Sequence, residues 1–257
     1  MKQIAIFGYY GFGNTGDDAV LFSLLDDFAE LNREMHITVF SNNPQLTKKQ
    51  YAKYKIDTAA WDDFEKLNTI IRQSSLLIIG GGGLYNCYLD YPAELFLKGN
   101  HRYFSVVTFG MPYIAQKSKT PCIVCGAGAS EIWSEEAKKH IGKGLAKCNT
   151  VTVRDEGSKR ILECLPGAEQ VKIVVTGDPV FRLDHNRVDL SNMLPLFDEV
   201  CCMPQPLVGI SLRNWDFAGD KDKLLREISG TINQFHKNCG GGLSCFCRLI
   251  MVQFWKH

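Results

Sequence analysis

The sequence has no apolar run long enough to cross a bilayer. Stretches such as Leu76–Ile79 and Ser105–Phe109 fall far short of the ~20 residues a membrane helix needs. It also lacks an excess of charge. With 29 Lys and Arg against 28 Asp and Glu, the net charge is +1. That balance excludes the basic footprint of a nucleic-acid binder. Met1-Lys2-Gln3 leads into only Ile4-Ala5-Ile6-Phe7, too short for a secretory apolar core, so a cytoplasmic protein is expected. Paired cysteine motifs are scarce too. The ten cysteines are scattered without a secretion signal, so reduced thiols are expected. Cys122-Ile123-Val124-Cys125 has CxxC spacing. It follows Pro121 in a strand-like run, where residues three apart face opposite sides. No second CxxC supports a zinc site around Cys239, Cys245, Cys247, His236 and His257, and no metal is expected.

What the sequence does have is alternation. Strand-like Ile4–Phe7, His36–Phe40, Leu76–Ile79, Pro121–Cys125, Thr150–Val153 and Val171–Val175 are separated by helical stretches. Those stretches cover Asp17–Leu31, Gln45–Tyr54, Trp61–Gln73, Phe104–Gln116, Ser134–Ala146 and Glu156–Leu165. This pattern predicts an α/β fold with a doubly wound, mostly parallel sheet over residues 1–183. Residues 184–206 mix Asp, Asn and Pro without periodicity and read as a linker. A new strand at Leu207–Leu212 and a helix at Asp220–Lys237 open a second α/β domain over 207–257. That domain looks incomplete, because one β–α unit cannot bury both its faces.

The most informative segment is Gly8-Tyr9-Tyr10-Gly11-Phe12-Gly13-Asn14-Thr15-Gly16-Asp17. It lies between the first strand and the first helix. There, glycines allow a tight turn and close ligand approach, and the helix start offers N–H groups to an anion. Gly11–Gly16 formally matches GxGxxG, but a dinucleotide site needs an acid at the end of the second strand. That strand ends in Ser41-Asn42-Asn43. Gly80-Gly81-Gly82-Gly83 reads either as a simple turn or, coming directly after a buried strand, as a backbone lying against a ligand. Arg154 follows the strand Thr150–Val153. It is placed either to grip a carboxylate or phosphate or to pair with Asp155 or Asp178. Thr176–Phe181 reads equally well as a turn.

Together these segments resemble the polysaccharide pyruvyl transferase family. The elements that carry the resemblance are Gly8–Asp17, Gly80–Gly83, Val153-Arg154-Asp155-Glu156-Gly157-Ser158, Gly177-Asp178-Pro179-Val180-Phe181 and Ile210-Ser211-Leu212-Arg213. The resemblance implies a GT-B-like fold with an N-terminal Rossmann-like domain. It also implies transfer of a pyruvyl group from phosphoenolpyruvate to a sugar hydroxyl, forming a ketal, without a cofactor. Asp17 would be the catalytic residue. Asn14, Gly16, Gly81, Gly82, Gly83, Arg154 and Ser158 would bind substrate, with Arg154 on the donor's carboxylate or phosphate. The implied partners are phosphoenolpyruvate and a saccharide or lipid-linked saccharide acceptor. A peripheral position at the inner membrane face and homo-oligomerisation stay open. The alternatives are a GT-B-like nucleotide-sugar glycosyltransferase and a non-catalytic domain of the same fold.

The family's second domain continues through further β–α units and brings a basic, histidine-bearing motif. Nothing after Lys237 matches it, and Cys239, Cys245 and Cys247 crowd a tail without family character. The expectation is a truncated or frameshifted form whose activity stays open and whose tail does not pack from Gly240 onward.

Overall fold

The computed structural model describes residues 2–31, 34–87, 103–183, 198, 202, 208–212, 220–239 and 243–247. By its internal contacts the chain divides into two compact units, Met1–Leu183 and Asp184–His257.

In the first unit β1 (Lys2–Phe7) shows how the sheet is built. Ile4 and Ile6 enter one buried cluster and Ala5 and Phe7 the other, as the two-residue period of a strand requires. The next strands are β2 (Met35–Ser41), β3 (Asp57–Ala60), β4 (Leu76–Ile79) and β5 (Gly82–Cys87). They are followed by β6 (Cys122–Ile132), β7 (Thr150–Val153) and β8 (Ile173–Val175). The sheet order is β3-β2-β1-β4-β6-β7-β8, with β5 beside β6, and every pairing is parallel.

Helices cover both faces. α1 (Thr15–Glu30) sends Val20, Leu21, Leu24 and Leu25 into the cluster around Ile4 and Ile6, and Tyr51, after α2 (Pro44–Gln50), joins it. α3 (Phe64–Gln73), α4 (Phe104–Ser118), α5 (Glu135–Leu145) and α6 (Glu156–Glu163) pack against the opposite cluster. The chain order reverses between β1 and β4, the switch point where open α/β sheets place their ligands. Cys122 joins one core and Cys125 packs on the other, so the CxxC spacing does not bring two thiols together.

Two strands escape the sequence reading. β3 is short and half polar, Asp57-Thr58-Ala59-Ala60. β5 begins inside the glycine run, so that run is not a turn. After β4 the chain kinks at Gly82, with φ +82, and continues along β6, pairing Gly82 with Ala127 and Cys87 with Ile132.

Gly80 has a packing role. A Cβ there would stand 2.0 Å from the Tyr10 hydroxyl, and one at Gly8 would stand 2.5 Å from the same ring. Tyr10 is fully buried, so two glycines make its slot. Gly80→Ala is expected to lower stability by about 1–3 kcal/mol, the usual cost of overpacking. Thermal unfolding checks this, and a wild-type Tm would refute the slot.

The second unit shows β9 (Val208–Leu212), α7 (Lys221–Cys239) and β10 (Leu243–Cys247). β10 pairs with β9 in parallel, Leu243 opposite Val208 through Cys247 opposite Leu212. The expectation that nothing packs beyond Gly240 is therefore corrected for these five residues. Leu243-Ser244-Cys245-Phe246-Cys247 holds an aromatic residue and no Pro, Gly, Asp or Asn, a composition compatible with a strand whatever its origin. Of the linker expected over 184–206, all but Asp198 and Cys202 lie outside the described residues. Among the described residues no helix is long and apolar enough to cross a membrane.

Candidate active site

The first unit carries a cavity of about 580 Å³ where the C-terminal ends of its strands meet the start of α1. Asn14, Gly16, Asp17, Gly82, Gly83 and Arg154, all expected from sequence, line it. They reach one place from three parts of the chain, the start of α1, the start of β5 and the end of β7, because parallel strands deliver their C-terminal loops to a single edge.

Asn14 caps α1, accepting a hydrogen bond from Gly16 N at 3.1 Å. The expectation of open N–H groups facing an anion is thereby corrected in part. One donor is taken by the cap, and the Asp17 side chain occupies the first turn. A carboxylate there is favoured by the helix dipole. Asp17 is only 8% exposed, and its position depends on Gly82. A Cβ at Gly82 would lie 2.0 Å from Asp17 Oδ1.

Arg154 is seated the same way. A Cβ at Gly128 would lie 2.7 Å from both its Nε and its Cζ. The guanidinium lies 3.2 Å from Asp155 and 3.7 Å from Asp178. Both readings of Arg154 thus meet in one geometry: it is ion-paired, and it lines the cavity. Asp155 is itself fixed as the cap of α6, accepting from Ser158 N at 2.6 Å. That N–H, and then Arg154, hold its carboxyl below the usual range.

Gly81 and Ser158, expected to bind substrate, are not among the residues that line the cavity. Gly81 lies where a Cβ would come within 3.0 Å of Gly126 O and 3.2 Å of Val20. Ser158 is buried, and its Oγ accepts from Ala129 N at 2.9 Å. It joins α6 to β6 and so steadies Asp155. Sequence reasoning missed Asp155, Asp178, Val180 and Phe181 as cavity residues. The signal was present in Gly177–Phe181, which reads equally as a turn. Its 3-10 turn, Pro179–Arg182, is fastened to α1, where Ser23 Oγ donates to Pro179 O at 2.5 Å. No three His, Cys, Asp or Glu side chains converge as a metal set among the described residues.

Asp18, one residue on, responds to pH. Burial pushes its carboxyl up to about 6, against a hydrogen bond from the Gly11 backbone that lowers it. A folded-state value above the unfolded one favours folding while the group is protonated. That contribution is complete below about pH 4 and is lost as pH rises through about 6. Asp18→Asn is therefore expected to stabilise the fold by about 1–2 kcal/mol at pH 7.5 and by nothing at pH 4. Urea unfolding at both pH values checks this, and an equal effect at both would refute it.

Residues 14–237 match the sequence profile of the polysaccharide pyruvyl transferases. The chain belongs to that family. Its glycine-rich loop, Arg154 motif and Gly177–Phe181 segment lie within or beside the matched span, and all three reach the cavity. No curated protein matches this family member in sequence. Its fold is similar to MnaA from S. aureus solved with UDP, at TM-score 0.53 and 13% identity over 98% of this chain and 65% of that one. HepE from Anabaena, solved with UDP and glucose, gives TM-score 0.53 at 11% identity over 96% of this chain and 69% of HepE. UDP-N-acetylglucosamine 2-epimerase from Rickettsia bellii gives 0.52 at 12% identity, with 96% and 62% covered. The chain thus has a GT-B-like α/β fold and spans roughly two thirds of the length of these structures.

Proposed function

We propose that this chain transfers a pyruvyl group from phosphoenolpyruvate to a saccharide or lipid-linked saccharide, closing a ketal. The observation that supports it is the presentation of Asp17 and Arg154 on one cavity at the sheet's C-terminal edge. Ketal formation requires three events. The donor's methylene carbon takes up a proton. Its central carbon accepts a sugar hydroxyl oxygen. A second hydroxyl of the same sugar then replaces the phosphate, which leaves as inorganic phosphate. Each hydroxyl gives up a proton.

Asp17 is the group to receive a hydroxyl proton, a role that contributes on the order of 10²–10⁴-fold to rate. Arg154 is the only cation among the described cavity residues. Its fork suits the donor's carboxylate. Asp155 and Asp178 orient that fork, and Asn14, Gly16 and Gly83 line the floor.

The likeness to UDP-bound structures favours one competing reading, nucleotide-sugar transfer, since a shared scaffold does not decide chemistry. The deciding experiment incubates the chain with phosphoenolpyruvate and panels of free and lipid-linked saccharides. A product heavier by one pyruvate ketal, with equimolar phosphate, is expected. Protection from thermal unfolding by UDP-sugars but not by phosphoenolpyruvate would support nucleotide-sugar transfer instead. Protection by neither would support a non-catalytic domain.

A further inference from the structure

Phe181 is the most exposed large apolar side chain among the described residues, at 88%. A lone exposed ring is common on protein surfaces. This one differs in being held at the rim of the cavity. Its backbone N donates to Asp178 O at 3.0 Å. The turn that carries it is tied at both ends. Pro179 fills the volume that a Cβ at Gly126 would need, 2.5 Å from its Cδ, and its carbonyl accepts from Ser23. Arg182, next along, pairs with Asp27 at 3.1 Å and Glu30 at 3.0 Å. The backbone is therefore not free to roll the ring under cover, and the ring faces solvent beside a cavity.

The polar wall of that cavity supplies the other half of the argument. Arg154 is already ion-paired with Asp155 and Asp178, and with the Asn14 amide and the Asp17 carboxylate these make a wall of three carboxylates against one guanidinium, with or without a donor. Such a wall accepts hydrogen bonds from hydroxyl groups and repels added negative charge. A pyranose ring matches both features. Its axial C–H bonds meet the electron-rich face of an aromatic ring, and its hydroxyls meet carboxylates.

We infer that this cavity takes a neutral pyranose unit of the acceptor, with Phe181 as the stacking platform that selects it. A uronate is disfavoured, because its carboxylate would join three others. The inference rests on the transferase reading only in calling this sugar the acceptor, since the subsite can be tested without any donor.

The experiment uses saturation-transfer NMR and titration calorimetry on the whole chain. The probes are the methyl β-glycosides of glucose, galactose and mannose, with methyl β-glucuronide as the charged counterpart. At least one neutral glycoside is expected to bind, with strongest transfer to the C–H protons of one ring face. Phe181→Ala should weaken it roughly tenfold, from lost ring contact and stacking. Phe181→Trp should retain binding and Phe181→Leu should restore only part, each with a wild-type Tm. The glucuronide should bind more weakly than the glucoside. No binding of any neutral glycoside, equal binding to Phe181→Ala, or a glucuronide bound as well as the glucoside would each overturn the inference. Phe181→Tyr keeps the aromatic face and should bind as wild type. A parallel phosphoenolpyruvate titration separates the two ideas. Donor binding without glycoside binding leaves the transferase reading intact and removes this subsite. Glycoside binding without donor binding does the reverse.

Discussion

Gly82→Ala is expected to cost at least about 100-fold in pyruvyl transfer while the eight-stranded sheet stays folded. Two effects act at this residue. Its φ is +82, a region that costs an L side chain about 1–2 kcal/mol. The new Cβ would also stand 2.0 Å from Asp17 Oδ1, so the carboxylate must leave its place over the β4–β5 kink. Asp17 sits in the first turn of α1 and is almost fully buried. It cannot move without giving up the orientation toward the cavity. A stability loss of about 1–3 kcal/mol should accompany the change, within what a domain of this size tolerates. Asp17→Asn separates the two effects, because it should show the rate loss without the backbone strain. Turnover and thermal unfolding on both variants decide the matter. Wild-type turnover in a folded Gly82→Ala protein would remove Asp17 from the chemistry.

Arg154→Ala should weaken phosphoenolpyruvate binding by roughly ten- to a hundredfold, since a charge-assisted hydrogen bond contributes about 1.5–3 kcal/mol. Magnitudes distinguish this from a structural role. The Arg154 side chain is 40% exposed and its partners Asp155 and Asp178 are 50% and 23% exposed. Pairs this open contribute about 0–1 kcal/mol to stability, too little to explain a hundredfold change in affinity. Arg154→Lys keeps the charge and loses the fork, so it should recover only part. Gly128→Ala offers an independent check. Its Cβ would meet the guanidinium at 2.7 Å and should weaken the donor with Arg154 still present. Calorimetric titration of phosphoenolpyruvate on the three variants gives the answer. Unchanged affinity in a stable Arg154→Ala protein would show the arginine to be a surface ion pair and nothing more.

Much of the fold could be read along the chain because its causes are local. A strand buried on both faces is a short apolar run, as in Ile4–Phe7 and Leu76–Ile79. An amphipathic helix repeats every three to four residues, and the order of the two predicts parallel crossovers. The glycine-rich loop, Arg154 and the family resemblance were legible for the same reason: each is a contiguous stretch at a strand end. β3 and β5 were not legible, because their pairing with β2 and β6 compensates for sequences that look polar or glycine-rich. The same holds for Leu243–Cys247, which becomes a strand by lying beside Val208–Leu212.

What only the tertiary structure decided is the purpose of the glycines. Read in sequence, Gly80 through Gly83 suit a ligand. In space, Gly80 makes room for Tyr10, Gly82 for Asp17, Gly126 for Pro179 and Gly128 for Arg154. Each partner is distant in the chain, so no periodicity or spacing could reveal it. A missing side chain records only that something passes close by, and the packing of the sheet edge determines whether that something is a ligand or one of the protein's own side chains.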